Sequence, residues 1–293
     1  MTRRVRGLAW AAAACTYFLI VLGALVRITG SGLGCGEHWP RCFGRWFPPL
    51  NDIGTLIEWN HRLFAGLVTV LVVVVAALAV WESRGAGNGE RGAFVRPTDS
   101  PTVRLSLVAV ALLALQITLG AIVVKLALPP WTVILHLGTA MLLLATLLVI
   151  ATGGAPLRVT PGFRPGLVIP ALGFVTVLFG ALTANLGAAS ACLGFPLCNG
   201  KVIPAGNYLQ ALHWGHRLLG FGLLGSLAWW AWRTRRPGPT AALGLALAQV
   251  GVAAAMVLLA LPRGLQVAHA AVGTALWAAL VLAARGEPTE QTS

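Results

Sequence analysis

Four histidines are the residues of this sequence whose type and position could support chemistry. His61, His136, His216 and His269 each stand close to the start of a long apolar segment. An ionisable side chain inside such a segment is costly, and it usually faces the interior of a helix bundle or a pathway. Imidazole is also the commonest protein ligand for metals. The four histidines therefore indicate either hydrogen-bonded core residues or ligands of a metal cofactor.

The surroundings of these histidines recur in the two halves of the chain. In each half a cysteine pair is followed by a His-Arg dipeptide and then by a glutamine, and a second histidine comes twenty residues after that glutamine. These positions are Cys35, Cys42, His61, Arg62, Gln116 and His136 in the first half, and Cys192, Cys198, His216, Arg217, Gln249 and His269 in the second. Two histidines on separate segments, repeated in this way, predict one bis-imidazole metal site in each half.

Haem iron suits such a site better than zinc. Structural zinc takes four protein ligands and catalytic zinc commonly three plus water, whereas two imidazoles suit a flat macrocycle with two axial positions. The start of a helix also favours the neutral imidazole that binds metal. Arg62 and Arg217, each next to a histidine, are candidates for holding haem propionates by charge-assisted hydrogen bonds. The alternative role for these arginines is ordinary anchoring at the membrane interface.

One acidic residue distinguishes the two halves. Glu58 stands about one helical turn before His61, and the matching position in the second half is His213. Glu58 is either a carboxylate at a helix start, paired with Arg62 at i, i+4, or a group that takes protons or stabilises developing positive charge during an oxidation. The asymmetry predicts that one half does chemistry while the other holds a cofactor.

Four of the five cysteines lie in loops between apolar segments. Cys35 and Cys42 are seven residues apart, and Cys192 and Cys198 are six apart. Cysteine pairs on the outer side of a membrane can serve as structural staples, because disulfides persist there. For Cys35 and Cys42, in the half that contains Glu58, participation as an electron acceptor is the alternative.

The elements that carry these residues are predicted to be membrane-spanning helices. The 293 residues are 57% hydrophobic and only 10% charged, against roughly 25% charged in ordinary globular proteins, which excludes a soluble enzyme. The net charge of +13 is scattered between apolar runs, unlike the clustered charge of a nucleic-acid binder. A crossing helix needs about 20 mostly apolar residues. Eight segments qualify: 8–28, 62–82, 104–125, 131–152, 167–187, 214–232, 240–260 and 265–284.

These segments form two copies of one four-helix unit, 1–152 and 153–293. Because four is an even number, both copies have the same topology. The predicted fold is thus all-α, with eight transmembrane helices in two tandem four-helix bundles, related by a pseudo-two-fold axis along the membrane normal. Thirteen Lys and Arg residues stand at one set of helix ends and eight at the other. This bias predicts cytoplasmic N- and C-termini, with the cysteine loops and histidine sites on the outer side. The segment 83–103 is interpreted as a loop insertion.

The first half of the sequence resembles the haem A synthase family. The resemblance is carried by Gly30-Ser31-Gly32-Leu33-Gly34-Cys35, by Trp39-Pro40 and Cys42, and by Glu58-x-x-His61-Arg62. The doubled four-helix plan extends it over residues 8 to 284. The first-half signature is specific, whereas the second-half signature alone would be weak.

The resemblance implies a multi-pass oxidoreductase of the cell membrane. Such an enzyme converts a methyl group of haem O into the formyl group of haem A, through a hydroxymethyl intermediate, for cytochrome oxidase biogenesis. The site residues that it implies are His61 and His136 for the substrate haem, His216 and His269 for a haem b cofactor, Glu58 as the catalytic carboxylate, and the disulfides Cys35–Cys42 and Cys192–Cys198. Haem O synthase and cytochrome oxidase assembly factors are compatible partners, as is a second copy of the chain; nucleic acid is not.

A second class of function explains the histidines and cysteines equally well, namely a dihaem b-type cytochrome that passes electrons to a quinone or a disulfide. Against it, both haems would lie at one depth in the membrane, and Glu58 would have no role. A transporter built on a repeat would have broken helices and polar groups near the midplane, whereas the apolar segments here are nearly free of them. A prenyltransferase would need clustered aspartates for magnesium, and the chain has only Asp52 and Asp99.

Overall fold

The fold was analysed in a computed structural model that describes residues 1–49, 51–87, 100–154, 165–204 and 206–285. Within these ranges the chain has eight long helices, two short 3₁₀ turns and no β-strand, which confirms the all-α prediction for them. The helices are α1 (Arg3–Thr29), α2 (Ile53–Gly87), α3 (Pro101–Lys125), α4 (Pro130–Ala151), α5 (Pro165–Asn185), α6 (Tyr208–Thr234), α7 (Pro237–Leu258) and α8 (Arg263–Arg285).

Some sequence predictions fall outside the described residues. They concern the middle of the predicted loop 83–103, which α2 and α3 enter from either side, and four of the basic residues used for orientation: Arg91, Arg96, Arg158 and Arg164.

Local sequence signals set the helix ends. Thr2 caps α1, and its hydroxyl accepts a hydrogen bond from the backbone N–H of Val5 at 3.4 Å. Asn207 caps α6 and accepts from two backbone N–H groups of the first turn. Helices α3, α4 and α7 have proline in their first turn, where its missing N–H is not needed. After α1 the backbone turns at Gly30, whose φ of 73° favours glycine.

Seven of the described helices are long and apolar enough to cross a membrane, which confirms a multi-pass membrane protein. The remaining helix, α6, has 27 residues and is therefore long enough to cross a membrane. Between Arg217 and Arg233, however, glycines, Ser226 and three tryptophans reduce its mean hydropathy. The eighth span stays a prediction.

All eight helices begin before the apolar segments predicted for them, and α2 and α6 do so by the most, nine and six residues. Helix α2 starts at Ile53 and α6 at Tyr208, so that His61 and His216 lie in the third turn of their helices. The added stretch of α2 contains Thr55, Glu58 and Asn60, and that of α6 contains Gln210 and His213, which lowers hydropathy there without preventing helix formation.

The helices close into two sets of four. In the first set α1 packs against α2 and α4, and α3 packs against the same two helices. In the second set α5 packs against α6 and α8, and α7 packs against the same two. The sets meet through α1, α4, α5 and α8. Side-chain hydrogen bonds cross this boundary: Trp277 Nε1 donates to the carbonyl of Met141 at 2.9 Å, the Tyr17 hydroxyl donates to that of Ala271 at 3.1 Å, and Arg285 Nε donates to the Thr152 hydroxyl at 3.3 Å.

The tightly packed core lies away from the histidines. In α4 all buried residues except Thr132 follow His136, and in α8 the buried residues begin at Thr274, after His269. Near the histidines, by contrast, residues 21–29 of α1 are all partly exposed. Because these consecutive residues cover every side of the helix, the side of α1 that faces the bundle is accessible too. The histidine end of the molecule is therefore less completely filled by side chains.

Candidate functional site

Two loops of the same build precede the histidine-bearing helices α2 and α6. We call residues 30–52 the first disulfide loop and residues 186–207 the second. Each begins with a short 3₁₀ turn, and after its second cysteine the chain turns back through a single antiparallel bridge. Each contains a disulfide whose cysteines are at most 1% exposed: Cys35–Cys42 in the first loop and Cys192–Cys198 in the second.

Two arginines fasten these loops to the helices. Nη1 of Arg62 donates to three backbone carbonyls of the first loop at 2.8 to 3.3 Å. Nη1 of Arg217 donates to three carbonyls of the second loop at 2.9 to 3.2 Å, and its Nη2 donates to the carbonyl of Cys192 at 2.9 Å. Both guanidinium groups thus contact backbone of their own chain. Their role in holding propionates stays a prediction.

Glu58 connects the first loop to α2. Its Oε2 accepts a hydrogen bond from the backbone N–H of Cys35 at 2.7 Å. Its Oε1 accepts from Nε of Arg62 at 3.1 Å and pairs with Nη2 of the same side chain. The ion pair that the i, i+4 spacing suggests is therefore present. At 3% exposure, a carboxylate with donors on both oxygens is held firmly in one position.

His213 replaces Glu58 in the second half and makes the opposite kind of bond. Its Nδ1 donates to the carbonyl of Ala188 at 3.0 Å, whereas Glu58 accepts from its loop. Both side chains thus connect a disulfide loop to a helix, but only Glu58 brings a negative charge. This is the difference between the halves that the sequence predicts to matter for chemistry.

His216 and His269 face each other in the second half. Their ring centroids are 6.5 Å apart and their planes are inclined at 82°. Two imidazoles that share one metal through bonds of about 2.0 Å have centroids about 6 Å apart. The structure therefore brings together the two predicted ligands, with His216 rather than His213 opposite His269.

His61 and His136 form the corresponding pair in the first half, on α2 and α4. They are close enough for their charges to interact. Both rings are partly exposed, although Nδ1 of each is buried. The structure thus brings together two of the four histidines in each half; their role as metal ligands stays a prediction.

Glycines lie against three of the four rings. A Cβ added at Gly180 would stand 2.8 Å from Cε1 of His216, and one added at Gly23 would stand 3.2 Å from Cε1 of His61. These glycines belong to the Gly-Ala-Leu triplet that occurs in both halves. Gly120 makes the same kind of approach to His136, at 3.3 Å. A side chain at any of these positions would displace a ring.

The residues present fit haem. Nδ1 of every one of the four histidines is buried without a hydrogen-bond partner, so no protein group engages that nitrogen of any ring. Among the described residues no three His, Cys, Asp or Glu side chains gather as zinc would need. Paired imidazoles, glycines beside them and incomplete packing at this end suit a flat group with two axial ligands.

Sequence reasoning assigned no role to two glutamines that contact the histidines. Nε2 of Gln116 lies 3.1 Å from Nε2 of His136, and Nε2 of Gln249 lies 3.2 Å from Nε2 of His269. A sequence signal for these contacts exists. Each glutamine and its histidine are about equally distant from the turn between their two helices, and such residues meet in an antiparallel helix pair.

The chain is similar to known proteins over most of its length. A family model described as Cytochrome oxidase assembly protein (COX15-CtaA) matches residues 6–281. The protein named Heme A synthase from Alkalihalophilus pseudofirmus is 35% identical over 218 residues, or 70% of this chain and 69% of that protein. The one from Geobacillus kaustophilus is 31% identical over 227 residues, or 73% and 67%. The one from Symbiobacterium thermophilum is 31% identical over an alignment of 302 positions, gaps included, which covers 95% of this chain and 94% of that protein.

Proposed function

The chain belongs to the COX15-CtaA family of cytochrome oxidase assembly proteins, and we propose that it acts as a haem A synthase. In this role it is a membrane oxidoreductase that converts a methyl group of haem O into the formyl group of haem A, through a hydroxymethyl intermediate. The observation that carries the proposal is the facing pair His216 and His269, with ring centroids 6.5 Å apart, together with its counterpart His61 and His136 on the matching helices α2 and α4. The proteins named Heme A synthase support the identity of the reaction.

The two pairs have different tasks in this proposal. His61 and His136 bind the iron of the substrate haem, and His216 and His269 bind haem b as cofactor. Haem b, when bound, supplies a redox-active iron beside the substrate half. The asymmetry supports this division, because Glu58 lies near the first pair and His213 takes its place near the second.

Glu58 is the catalytic carboxylate of the proposed reaction. Its Oε2 accepts from the Cys35 N–H and its Oε1 from the Arg62 guanidinium, so that the carboxylate is fixed in position before substrate arrives. A fixed negative charge stabilises positive charge that develops when electrons leave the substrate. We therefore assign Glu58 an electrostatic role first; proton transfer would require one of its present donors to move.

We also propose that the two halves, 1–152 and 153–293, are related by a pseudo-two-fold axis along the membrane normal and have eight spans. Such an axis exchanges α1 with α5 and α4 with α8. It therefore converts the contact of α1 with α8 into a contact of α5 with α4, and both contacts occur. The equivalent loops, arginine contacts and glutamine–histidine pairs support the same relation.

In the proposed orientation the chain lies in the cell membrane with both termini in the cytoplasm. The disulfide loops and both histidine pairs are then near the outer surface. The two disulfides support this, because such bonds persist outside the reducing cytosol. Haem O synthase as the source of substrate and cytochrome oxidase assembly factors as recipients follow from the reaction, and self-association is compatible with it.

The test is haem extraction and chromatography from a host that makes haem O, with and without this chain. Haem A or its hydroxymethyl precursor, present only with the chain, is the expected result. Bound haem b together with unchanged haem O would overturn the proposal in favour of an electron-transfer cytochrome.

A further inference from the structure

One glutamine contacts one histidine of each pair, in the same way in both halves. The amide nitrogen of Gln116 is 3.1 Å from Nε2 of His136, and that of Gln249 is 3.2 Å from Nε2 of His269. The amide oxygens of both glutamines are buried without a hydrogen-bond partner. In both halves, therefore, the position of the glutamine leaves its own amide oxygen without a hydrogen-bond donor.

The second-half contact depends on close packing between α7 and α8. A Cβ added at Gly273, one turn after His269, would stand 3.0 Å from the amide nitrogen of Gln249. The absence of a side chain at Gly273 thus lets the glutamine reach the imidazole. The contact is a property of both helices.

The chemistry of this contact identifies which part of the imidazole is engaged. An amide nitrogen has only hydrogens to offer, so it donates, and Nε2 of the histidine accepts with its lone pair. The ring proton then resides on Nδ1. A metal that binds Nε2 needs the same lone pair, so that glutamine and metal are mutually exclusive partners of this nitrogen.

We propose that Gln116 and Gln249 are placeholders for the haem iron. Each engages the metal-binding lone pair of His136 or His269 while the site lacks haem, and it releases that nitrogen when haem binds. The proposal rests on the proposed function, because it takes the histidine pairs as haem ligands. It assigns the glutamines a function in loading and exchange, whereas the histidines themselves provide the bond to iron.

The proposal makes the glutamines competitors, and this fixes the sign of their effect. Removing the amide deprives the haem-free site of a hydrogen bond but takes nothing from the haem-bound site. Affinity for haem should rise, and the haem-free chain should become less stable by the corresponding factor. A glutamine that instead positions the imidazole for the metal would show the opposite sign, since loss of such outer contacts commonly weakens metal binding 10- to 100-fold.

The experiment is an equilibrium titration with ferric haem b of the full chain, produced without haem. The chain carries His61→Ala, so that the added haem reports on the second pair. Gln249→Leu should bind about fivefold more tightly, which corresponds to one ordinary hydrogen bond, and its haem-free form should unfold at a lower temperature. Gln249→Met, an unbranched side chain of similar length, carries the same expectation if the leucine variant does not fold.

Gln266→Leu is the matched control, because the Gln266 amide also lies on α8 but donates to the carbonyl of Leu261, at 2.8 Å, and not to an imidazole. It should leave haem affinity unchanged. Unchanged or weaker binding by the Gln249 variants, with normal binding by the parent, overturns the placeholder proposal alone. A parent chain that binds no haem overturns the proposed function as well.

Discussion

At the scale of single residues, the carboxylate of Glu58 combines burial with complete hydrogen bonding. It is 3% exposed, and the Cys35 N–H and the Arg62 guanidinium occupy its two oxygens. Burying a charge is costly unless such partners accompany it. The carboxylate is therefore held in position by the first loop and by Arg62, and not by the histidine pair.

Replacing Glu58 with Gln should abolish haem A formation and leave haem b binding intact. Glutamine has the same shape but no charge, so the electrostatic contribution to the transition state disappears. Loss of one preorganised group of this kind commonly costs about 10²–10³ in rate. Haem extraction measures the product, and the absorption spectrum measures haem b. Asp52→Asn, at an exposed acid before α2, is the control, and haem A yields equal to wild type would refute the catalytic assignment.

Gly180 should not tolerate even alanine. Its Cβ would stand 2.8 Å from Cε1 of His216, so that the imidazole must shift away from its partner. We expect Gly180→Ala to reduce haem b retention at least about tenfold, as small misplacements of a ligand do. Gly222→Ala on α6 meets nothing within 4 Å and should behave like wild type in the same spectroscopic measurement. Full haem b content in Gly180→Ala would show that this approach is not needed.

At the scale of elements, the two disulfide loops differ in what they attach to. Both are closed by a buried disulfide and by an arginine that contacts several carbonyls. Only the first also donates a backbone N–H to Glu58, from Cys35 itself. The geometry of the first loop is thus directly connected to the proposed catalytic carboxylate.

The two disulfides should therefore differ in their effect on activity. Replacing both cysteines of either pair with serine should lower stability by a similar amount, about 2 kcal/mol, because the closed loops have nearly equal length. Haem A production should fall much further in Cys35→Ser/Cys42→Ser than in Cys192→Ser/Cys198→Ser. Thermal unfolding and haem extraction test the two statements. Equal losses of product in both variants would separate the first loop from catalysis.

The range of the interactions explains how much could be predicted from the sequence. The apolar segment predicted at 104–125 became α3 at Pro101–Lys125, because hydropathy is a local property. The repeated His-Arg and Gln-to-His spacings located both histidine pairs. The carbonyl contacts of Arg217 join it to residues 20 to 25 positions away. They depend on the path of an irregular loop, which no periodic pattern records.

At the scale of the whole molecule, the two halves have similar elements, and the first half differs by the acidic residue Glu58 where the second has His213. The boundary between them is formed by α1, α4, α5 and α8. It includes hydrogen bonds from Trp277 to Met141 and from Tyr17 to Ala271. Each half nevertheless contains its own pair of histidines on its own helices. A ligand of one pair can therefore be removed without removing a ligand of the other.

This independence leads to a prediction about haem content. His216→Ala or His269→Ala should remove haem b from the purified chain, because a single imidazole on a separate helix cannot replace two axial bonds. His61→Ala or His136→Ala should retain haem b and yet form no haem A, because only the substrate pair is broken. Absorption spectra and haem extraction on the four variants measure both outcomes together. Loss of haem b in the first-half variants, with retention in the second-half ones, would reverse the assignment of cofactor and substrate to the halves.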